Sequence, residues 1–178
     1  MQRKTIIISL YGGPCAGKST ACAGLFYELK KLGYEVEMAL EYAKEYVYDE
    51  AYSVLNDQLY LFGEQYHRTQ RLIGKVDFII TDSPFLLNIY YDHNNNPKIF
   101  YDLIAYKYNE FFHKDYFIER NINNFTENGR VHTLEQSLEI DSILRGILDN
   151  YNIHYKDIKQ DGCVQSILNE LKLDGLIK

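Results

Sequence analysis

The residues best suited to chemistry lie near the start of the chain, in the stretch IIISLYGGPCAGKSTA. This stretch contains three glycines: Gly12, Gly13 and Gly17. Glycine lets a backbone bend sharply and lets another group approach it closely. A cation and two hydroxyl groups follow: Lys18, Ser19 and Thr20. Because an ammonium group and hydroxyls favour a negatively charged partner, these residues indicate an anion-binding site.

The spacing of these residues is that of a P loop, Gly-x4-Gly-Lys-Ser/Thr. The motif follows a buried apolar run and precedes a predicted helix, which is the context it requires. We therefore expect loop amides and a helix N-terminus to bind the phosphates of ATP. The expected ATP-binding residues are Gly12, Gly13, Pro14, Cys15, Ala16, Gly17, Lys18, Ser19 and Thr20.

Three side chains of the motif have distinct expected roles. Lys18 neutralises the β and γ phosphates, and Ser19 is a ligand of Mg²⁺. Thr20, one residue further into the helix, is placed to reach the α-phosphate. The alternative is a glycine-rich turn capped by a helix, but motif and context rarely coincide by chance.

Strand and helix patterns alternate along the chain, which predicts an α/β fold with a parallel sheet. The expected strands are Thr5–Leu10, Glu35–Leu40, Val76–Thr81, Asp115–Glu119 and Ile153–Ile158. The expected helices are Gly17–Leu32, Tyr52–Ile73, Pro97–Phe112, one starting at Thr133, and Cys163–Leu171. We see no repeat, linker or low-complexity tract, so we expect one domain over residues 1–178.

Composition limits the class of protein. The 178 residues carry a formal net charge of -6, which disfavours a long nucleic-acid footprint. The three cysteines show no metal-type spacing and fit a reducing compartment. No segment approaches the length of a membrane span. We therefore expect a soluble cytoplasmic protein.

Two carboxylates follow predicted strands, at the sheet edge where α/β folds bind ligands. Asp82 could hold the magnesium or contact the acceptor hydroxyl; alternatively, it could flank a helix capped by Ser83 and started by Pro84. Glu41 could accept the hydroxyl proton or orient a sugar. Its alternative is a solvated glutamate that faces Lys44.

The segment ERNINNFTENGRVHT is a long polar loop with an arginine near each end, Arg120 and Arg130. Long loops without regular structure are often active-site lids. An arginine delivered by a lid at about 120–132 would stabilise the transferring phosphoryl group. The alternative is a surface loop with scattered charges.

Several segments in order resemble the P-loop nucleoside and nucleotide kinase group: GGPCAGKST, the glutamate at Glu41, DQLYLFGEQYHR, IITDSP and NGRVHTLEQSLEIDSIL. More narrowly, they are similar to the small ATPase/kinase family related to the ribosylnicotinamide kinase domain, with thymidylate kinase as a further relative. The resemblance implies a three-layer sandwich on a five-stranded parallel sheet, an ATP donor and a mobile lid.

The resemblance also suggests acceptor-binding roles for Gln65 and Arg68, in addition to Glu41. From the residues alone, Glu64 and Arg68 are equally an ordinary i,i+4 surface pair. Thymidylate kinases place an arginine directly after the strand-end aspartate, whereas Ser83 stands here. This departure favours a neutral nucleoside hydroxyl, although Arg68 or Arg71 could hold an acceptor phosphate.

These observations favour a kinase that moves the γ-phosphoryl group of ATP to a nucleoside or nucleotide, with Mg²⁺. One alternative is a polynucleotide or modified-DNA kinase, which would need a basic path into the cleft. Another is an NTPase switch with a protein partner, which would lack an acceptor pocket. The sequence is compatible with a monomer or a homodimer.

Overall fold

A five-stranded parallel sheet forms the centre of the fold. The structure is a computed structural model that describes residues 4–40, 52–93, 95–122 and 133–178. The strands are β1 (Ile6–Tyr11), β2 (Val36–Met38), β3 (Phe78–Thr81), β4 (Phe112–Glu119) and β5 (Tyr155–Lys159). Their order across the sheet is β2-β3-β1-β4-β5. The parallel α/β sheet expected from the sequence is confirmed.

Helices cover both faces of this sheet. They are α1 (Lys18–Lys31), α2 (Tyr52–Leu55), α3 (Gln58–Gln70), α4 (Leu87–Tyr91), α5 (Lys98–Tyr108), α6 (Leu134–Asn150) and α7 (Cys163–Leu173). Helices α1 and α7 pack on one face, and α3, α4, α5 and α6 pack on the other. This arrangement is the expected three-layer sandwich. Within the described ranges, no helix has the length and apolar character needed to cross a membrane.

The central strand β1 positions the candidate site. All six of its residues are buried, as expected for a strand covered on both faces. It pairs with β3 through Ser9 and Thr81, and with β4 through Tyr11 and Phe117. Because the three strands are parallel, their carboxyl ends lie at one edge of the sheet, where the chain continues into the P loop, Asp82 and Arg120.

The sequence predicted one continuous helix over Tyr52–Ile73, and this prediction is wrong. The structure contains two helices there, α2 and α3, separated at Asp57. The Asp57 carboxylate accepts a hydrogen bond of 3.0 Å from the amide of Tyr60 and so caps a new helix. Apolar spacing continued across this break, but Leu59 is exposed rather than buried.

Two other boundaries also differ from the sequence prediction. Helix α5 ends at Tyr108 instead of Phe112, because Phe112 already pairs with β1 and begins β4. The helix after β3 begins at Leu87, and Ser83 does not cap it: the Ser83 amide donates to the Thr81 hydroxyl. Asp82 therefore lies five residues before that helix, which removes the helix-start explanation for its position.

Two titratable groups on β4, half-buried His113 and buried Asp115, have opposite pKa shifts. Burial lowers the pKa of His113 to about 4, and burial raises the pKa of Asp115 to about 6. The Asp115 carboxylate accepts a hydrogen bond of 2.6 Å from Tyr108, whose ring stacks on His113 at 3.8 Å. Between pH 4 and 6, Asp115 binds more protons in the folded chain, whereas His113 binds more in the unfolded chain. Their contributions to the pH dependence of stability therefore oppose each other.

Separate replacement of these two groups should give pH profiles of opposite slope. In Asp115→Asn, only the His113 contribution remains, so the free energy of unfolding should rise from pH 4 to 6.5, by at most roughly 3 kcal/mol. In His113→Gln, the free energy of unfolding should fall as pH rises from 4 to 6. Urea unfolding followed by circular dichroism across this range measures both. Parallel profiles in the two variants would contradict the assignment.

Candidate active site

The P loop connects β1 to α1, and two of its three glycines adopt conformations that other residues rarely adopt. Gly12 has φ +136° and Gly17, the N-cap of α1, has φ +84°. A Cβ atom on Gly12 would lie 3.2 Å from the carbonyl oxygen of Ile118 on the neighbouring strand. Since the glycine N-cap has no side chain to offer, the first amides of α1 remain suited to an anion. The local geometry agrees with the phosphate-binding role predicted from the motif.

The Lys18 ammonium group folds back over the P loop. Its Nζ donates hydrogen bonds to the carbonyl oxygens of Gly12, at 2.6 Å, and of Gly13, at 3.1 Å. The positive charge is thus held beside the loop whose amides are suited to phosphate. A phosphate bound there would lie within reach of this charge.

Ser19 and Asp82 come together from two different elements. The Ser19 hydroxyl, in the first turn of α1, donates to Asp82 Oδ2 at 2.5 Å. Asp82 directly follows β3, and only 5% of its surface is exposed. A hydroxyl and a carboxylate are the hard oxygen ligands that Mg²⁺ prefers, usually together with substrate phosphates and water. The pair therefore fits the predicted magnesium site.

No group of three or more His, Cys, Asp or Glu residues is arranged for metal binding anywhere in the described part of the chain. A dedicated protein cage for a metal is thus not seen among those residues.

Gln65 lies beneath the candidate site rather than at its surface. Its amide group donates to the carbonyl oxygen of Ala39, at 3.1 Å, and to the Thr81 hydroxyl, at 3.3 Å. Only 3% of Gln65 is exposed. These two contacts join the ends of β2 and β3, next to the positions of Glu41 and Asp82. In this structure Gln65 therefore supports the end of β3, which Asp82 follows, and its predicted part in acceptor binding stays a prediction.

The two described arginines among the predicted site residues have carboxylate partners. Arg68 lies 3.8 Å from Glu64 in the i,i+4 pair that the alternative interpretation anticipated. The Arg120 side chain is 3% exposed and pairs with Asp141 at 2.6 Å. Arg120 directly follows β4, and its role toward the transferring phosphoryl group stays a prediction.

Two predicted residues, Glu41 and Arg130, lie outside the described residues, as does most of the predicted lid, residues 123–132. Their roles stay sequence predictions. The helix after the loop begins as expected: Thr133 accepts from the amide of Gln136, and Gln136 accepts from the amide of Thr133. This capping box fixes the end of the loop segment at α6.

Sequence reasoning missed Asp141, the residue of α6 that contacts the P loop. Its carboxylate accepts from the Gly13 amide at 2.5 Å. Asp141 directly follows Ile140 in an amphipathic helix, where the sequence pattern predicts an ordinary polar surface residue. No local pattern could identify it, because its partners are 21 and 128 residues away in the sequence.

The sheet order and the P loop at the end of its central strand define a P-loop protein with the fold of the nucleoside and nucleotide kinase group. A family model described as an AAA domain matches residues 7–165, which is most of the chain. The chain belongs to this AAA-domain family. No sequence among the curated proteins matches it.

Several solved structures share this fold at low sequence identity. NadR protein in complex with NR is 16% identical, with a TM-score of 0.63; the match covers 87% of this chain and 43% of that one. Deoxyadenosine kinase from M. mycoides with bound dATP is 21% identical, with a TM-score of 0.55, covering 93% and 99% of the two chains. Shikimate kinase from Aquifex aeolicus is 18% identical, with a TM-score of 0.52, covering 96% and 98%.

Proposed function

We propose that this protein is an ATP- and Mg²⁺-dependent kinase that transfers the γ-phosphoryl group of ATP to a nucleoside or nucleotide. The observation that carries the proposal is the contact between Ser19 and Asp82, 2.5 Å long, beside the P-loop lysine. It unites the hydroxyl, carboxylate and ammonium groups that phosphoryl transfer uses at one edge of the sheet. The whole chain is proposed to act as one kinase domain.

Each residue has a stated part in the proposed reaction. The loop amides and Lys18 bind the phosphates, and Ser19 with Asp82 would hold Mg²⁺. When bound, the ion would neutralise charge on the β and γ phosphates. Glu41 is proposed to accept the proton of the acceptor hydroxyl, and Arg130 to stabilise the transferring group. Catalysis would then depend on positioning and electrostatics rather than on a covalent intermediate.

The names of the similar structures support a small-molecule acceptor. NadR was solved with NR, and another relative is a deoxyadenosine kinase. Shikimate kinase shows that the same fold also serves an acceptor without a base. Since Ser83 follows Asp82 where thymidylate kinases have arginine, we favour a nucleoside hydroxyl over a monophosphate as the acceptor.

An acceptor panel tests this proposal. The protein is incubated with γ-labelled ATP, Mg²⁺ and one acceptor at a time: nucleosides including NR, nucleoside monophosphates, shikimate and a 5′-hydroxyl oligonucleotide. We expect label on at least one nucleoside or nucleotide, and none without Mg²⁺. Label on the oligonucleotide alone would indicate a polynucleotide kinase. Release of inorganic phosphate with no labelled acceptor would indicate an NTPase and contradict the proposal.

A further inference from the structure

The first half of the P loop is bound to α6 by a buried group of charges. Asp141 Oδ1 accepts from the Gly13 amide at 2.5 Å, and Asp141 Oδ2 accepts from two nitrogens of Arg120, at 2.6 and 3.2 Å. One carboxylate thus binds both a loop amide and a guanidinium group. Hydrogen bonds with charged partners are about twice as strong as neutral ones.

Arg120 extends this contact to the next residue of the loop. It donates to the carbonyl oxygen of Pro14 at 2.9 Å and to that of Ser137 on α6 at 3.1 Å. Its side chain is 3% exposed, and that of Asp141 is 15% exposed. We call Arg120 and Asp141 together the loop brace. The brace joins the end of β4, the second turn of α6 and the P loop.

The loop and the helix touch too closely for any side chain at residue 13. A Cβ atom on Gly13 would lie 2.8 Å from the Ser137 carbonyl oxygen and 3.0 Å from both Asp141 Oδ1 and an Arg120 nitrogen. Gly13 is therefore needed for close approach, although its φ angle is not among the positive ones. The motif spacing does not require glycine at this position, so the reason for it lies in α6.

The brace determines which way the peptide groups of the loop face. It binds the Gly13 amide and the Pro14 carbonyl oxygen on the α6 side, and the Gly13 carbonyl oxygen accepts from Lys18 instead. A carbonyl oxygen that turned toward bound phosphate would repel it. With the peptide groups between residues 12 and 13 and between residues 14 and 15 fixed, the remaining loop amides and the start of α1 are held in one arrangement.

We propose that Asp141 and Arg120 are positioning residues that hold residues 13 and 14 of the P loop in the conformation that binds nucleotide phosphate. The inference rests on the proposed function, because it assumes that the loop binds phosphate. The proposal gives Arg120 a different role from the one expected from the sequence. Its guanidinium group binds the Pro14 carbonyl oxygen and Asp141 and does not act on the transferring phosphoryl group. A binding site whose groups are held in place before the ligand arrives loses less entropy on binding.

Two variants separate positioning from stability. Asp141→Asn keeps an oxygen that can accept from the Gly13 amide, but it leaves the buried Arg120 without a carboxylate. The double variant Arg120→Met with Asp141→Leu replaces the whole ion pair by apolar side chains, so no charge is left unpaired. It removes the contacts of the brace to the loop and leaves the Gly13 amide and the carbonyl oxygens of Pro14 and Ser137 without these partners. Asp149→Asn, at an exposed position of the same helix, is the matched control.

The Kd of ADP with Mg²⁺ by calorimetry and the Tm without nucleotide are measured for all four proteins. We expect Asp141→Asn to lower Tm while its Kd stays close to that of the wild type. The double variant should also lower Tm, because three backbone groups lose their partners, but it should in addition raise Kd by about tenfold, the lower end of the loss seen when supporting residues around a metal site are removed. Asp149→Asn should change neither Tm nor Kd. A raised Kd in only one of two destabilised variants is not expected of residues that only stabilise the fold.

The proposal is overturned if the folded double variant binds ADP as tightly as the wild type, or if the wild type itself does not bind ADP. Failure of the proposed function looks different. The wild type would bind ADP and the variants would show the expected changes in Tm and Kd, yet the wild type would label no acceptor in the panel above. The ADP measurement needs no acceptor, so the two results can be distinguished.

Discussion

Lys18→Ala should remove phosphoryl transfer and leave the protein folded. The Lys18 Nζ donates to the loop carbonyl oxygens of Gly12 and Gly13, and the side chain is not among the buried hydrophobic residues of the core. Loss of one preorganised charge at a phosphoryl-transfer site costs about 10²- to 10³-fold in turnover. We expect at least that loss, measured as the rate of labelled acceptor formation with saturating ATP.

The matched control for this variant is Lys31→Ala, in the last turn of the same helix. Lys31 is well exposed and lies 3.7 Å from Glu28, and such surface pairs contribute little to stability. Both variants should keep the circular dichroism spectrum and the Tm of the wild type. Near-normal turnover in a folded Lys18→Ala protein would show that the loop is not a catalytic phosphate site.

Asp82→Asn should lower turnover far more than ATP affinity, by about 10²-fold or more. Asparagine has almost the same shape, and its oxygen can still accept from the Ser19 hydroxyl, so the local fold should persist. What disappears is the negative charge that would hold a cation against the phosphates. Steady-state kinetics should therefore show a lower kcat and a nearly unchanged KM for ATP.

Asp77→Asn, at the opposite end of the same strand, controls for charge and strand position. Asp77 accepts from the Glu35 amide at 2.9 Å, and asparagine can keep that bond. We expect normal turnover for this variant. If Asp82→Asn instead keeps its turnover and loses only thermal stability, Asp82 has a structural role and the magnesium assignment is wrong.

The order of elements was predictable because each depends on local chemistry. The buried apolar strand before the P loop and the helix that starts at Thr133 both appear where the sequence placed them. The break at Asp57 was not predicted, because an aspartate among apolar residues at helical spacing is equally typical of the exposed face of a helix and of an N-cap. Whether such a side chain caps a helix is decided by the path of the chain before it.

The candidate site likewise has one part that the sequence predicted and another that only the structure shows. Its phosphate-binding half is a continuous motif, so the residue types and their spacing were sufficient to predict it. Pairing Asp82 with Ser19 required only that β1 and β3 be neighbours in a parallel sheet. For Gln65 and Arg120 the sequence suggested direct contact with substrate, which stays a prediction; only the structure shows that both side chains donate to backbone carbonyl oxygens, those of Ala39 and Pro14.

By itself, then, the sequence determined the α/β class, the P loop and the strand-end position of Asp82, because these follow from periodicity and from short spacings along the chain. Only the tertiary structure decided the partners of Arg120, the role of Gly13 and the presence of Asp141 at the loop. Those contacts join residues that are 17 to 128 positions apart. Nothing local specifies them, since they depend on how α6 lies across the end of β1.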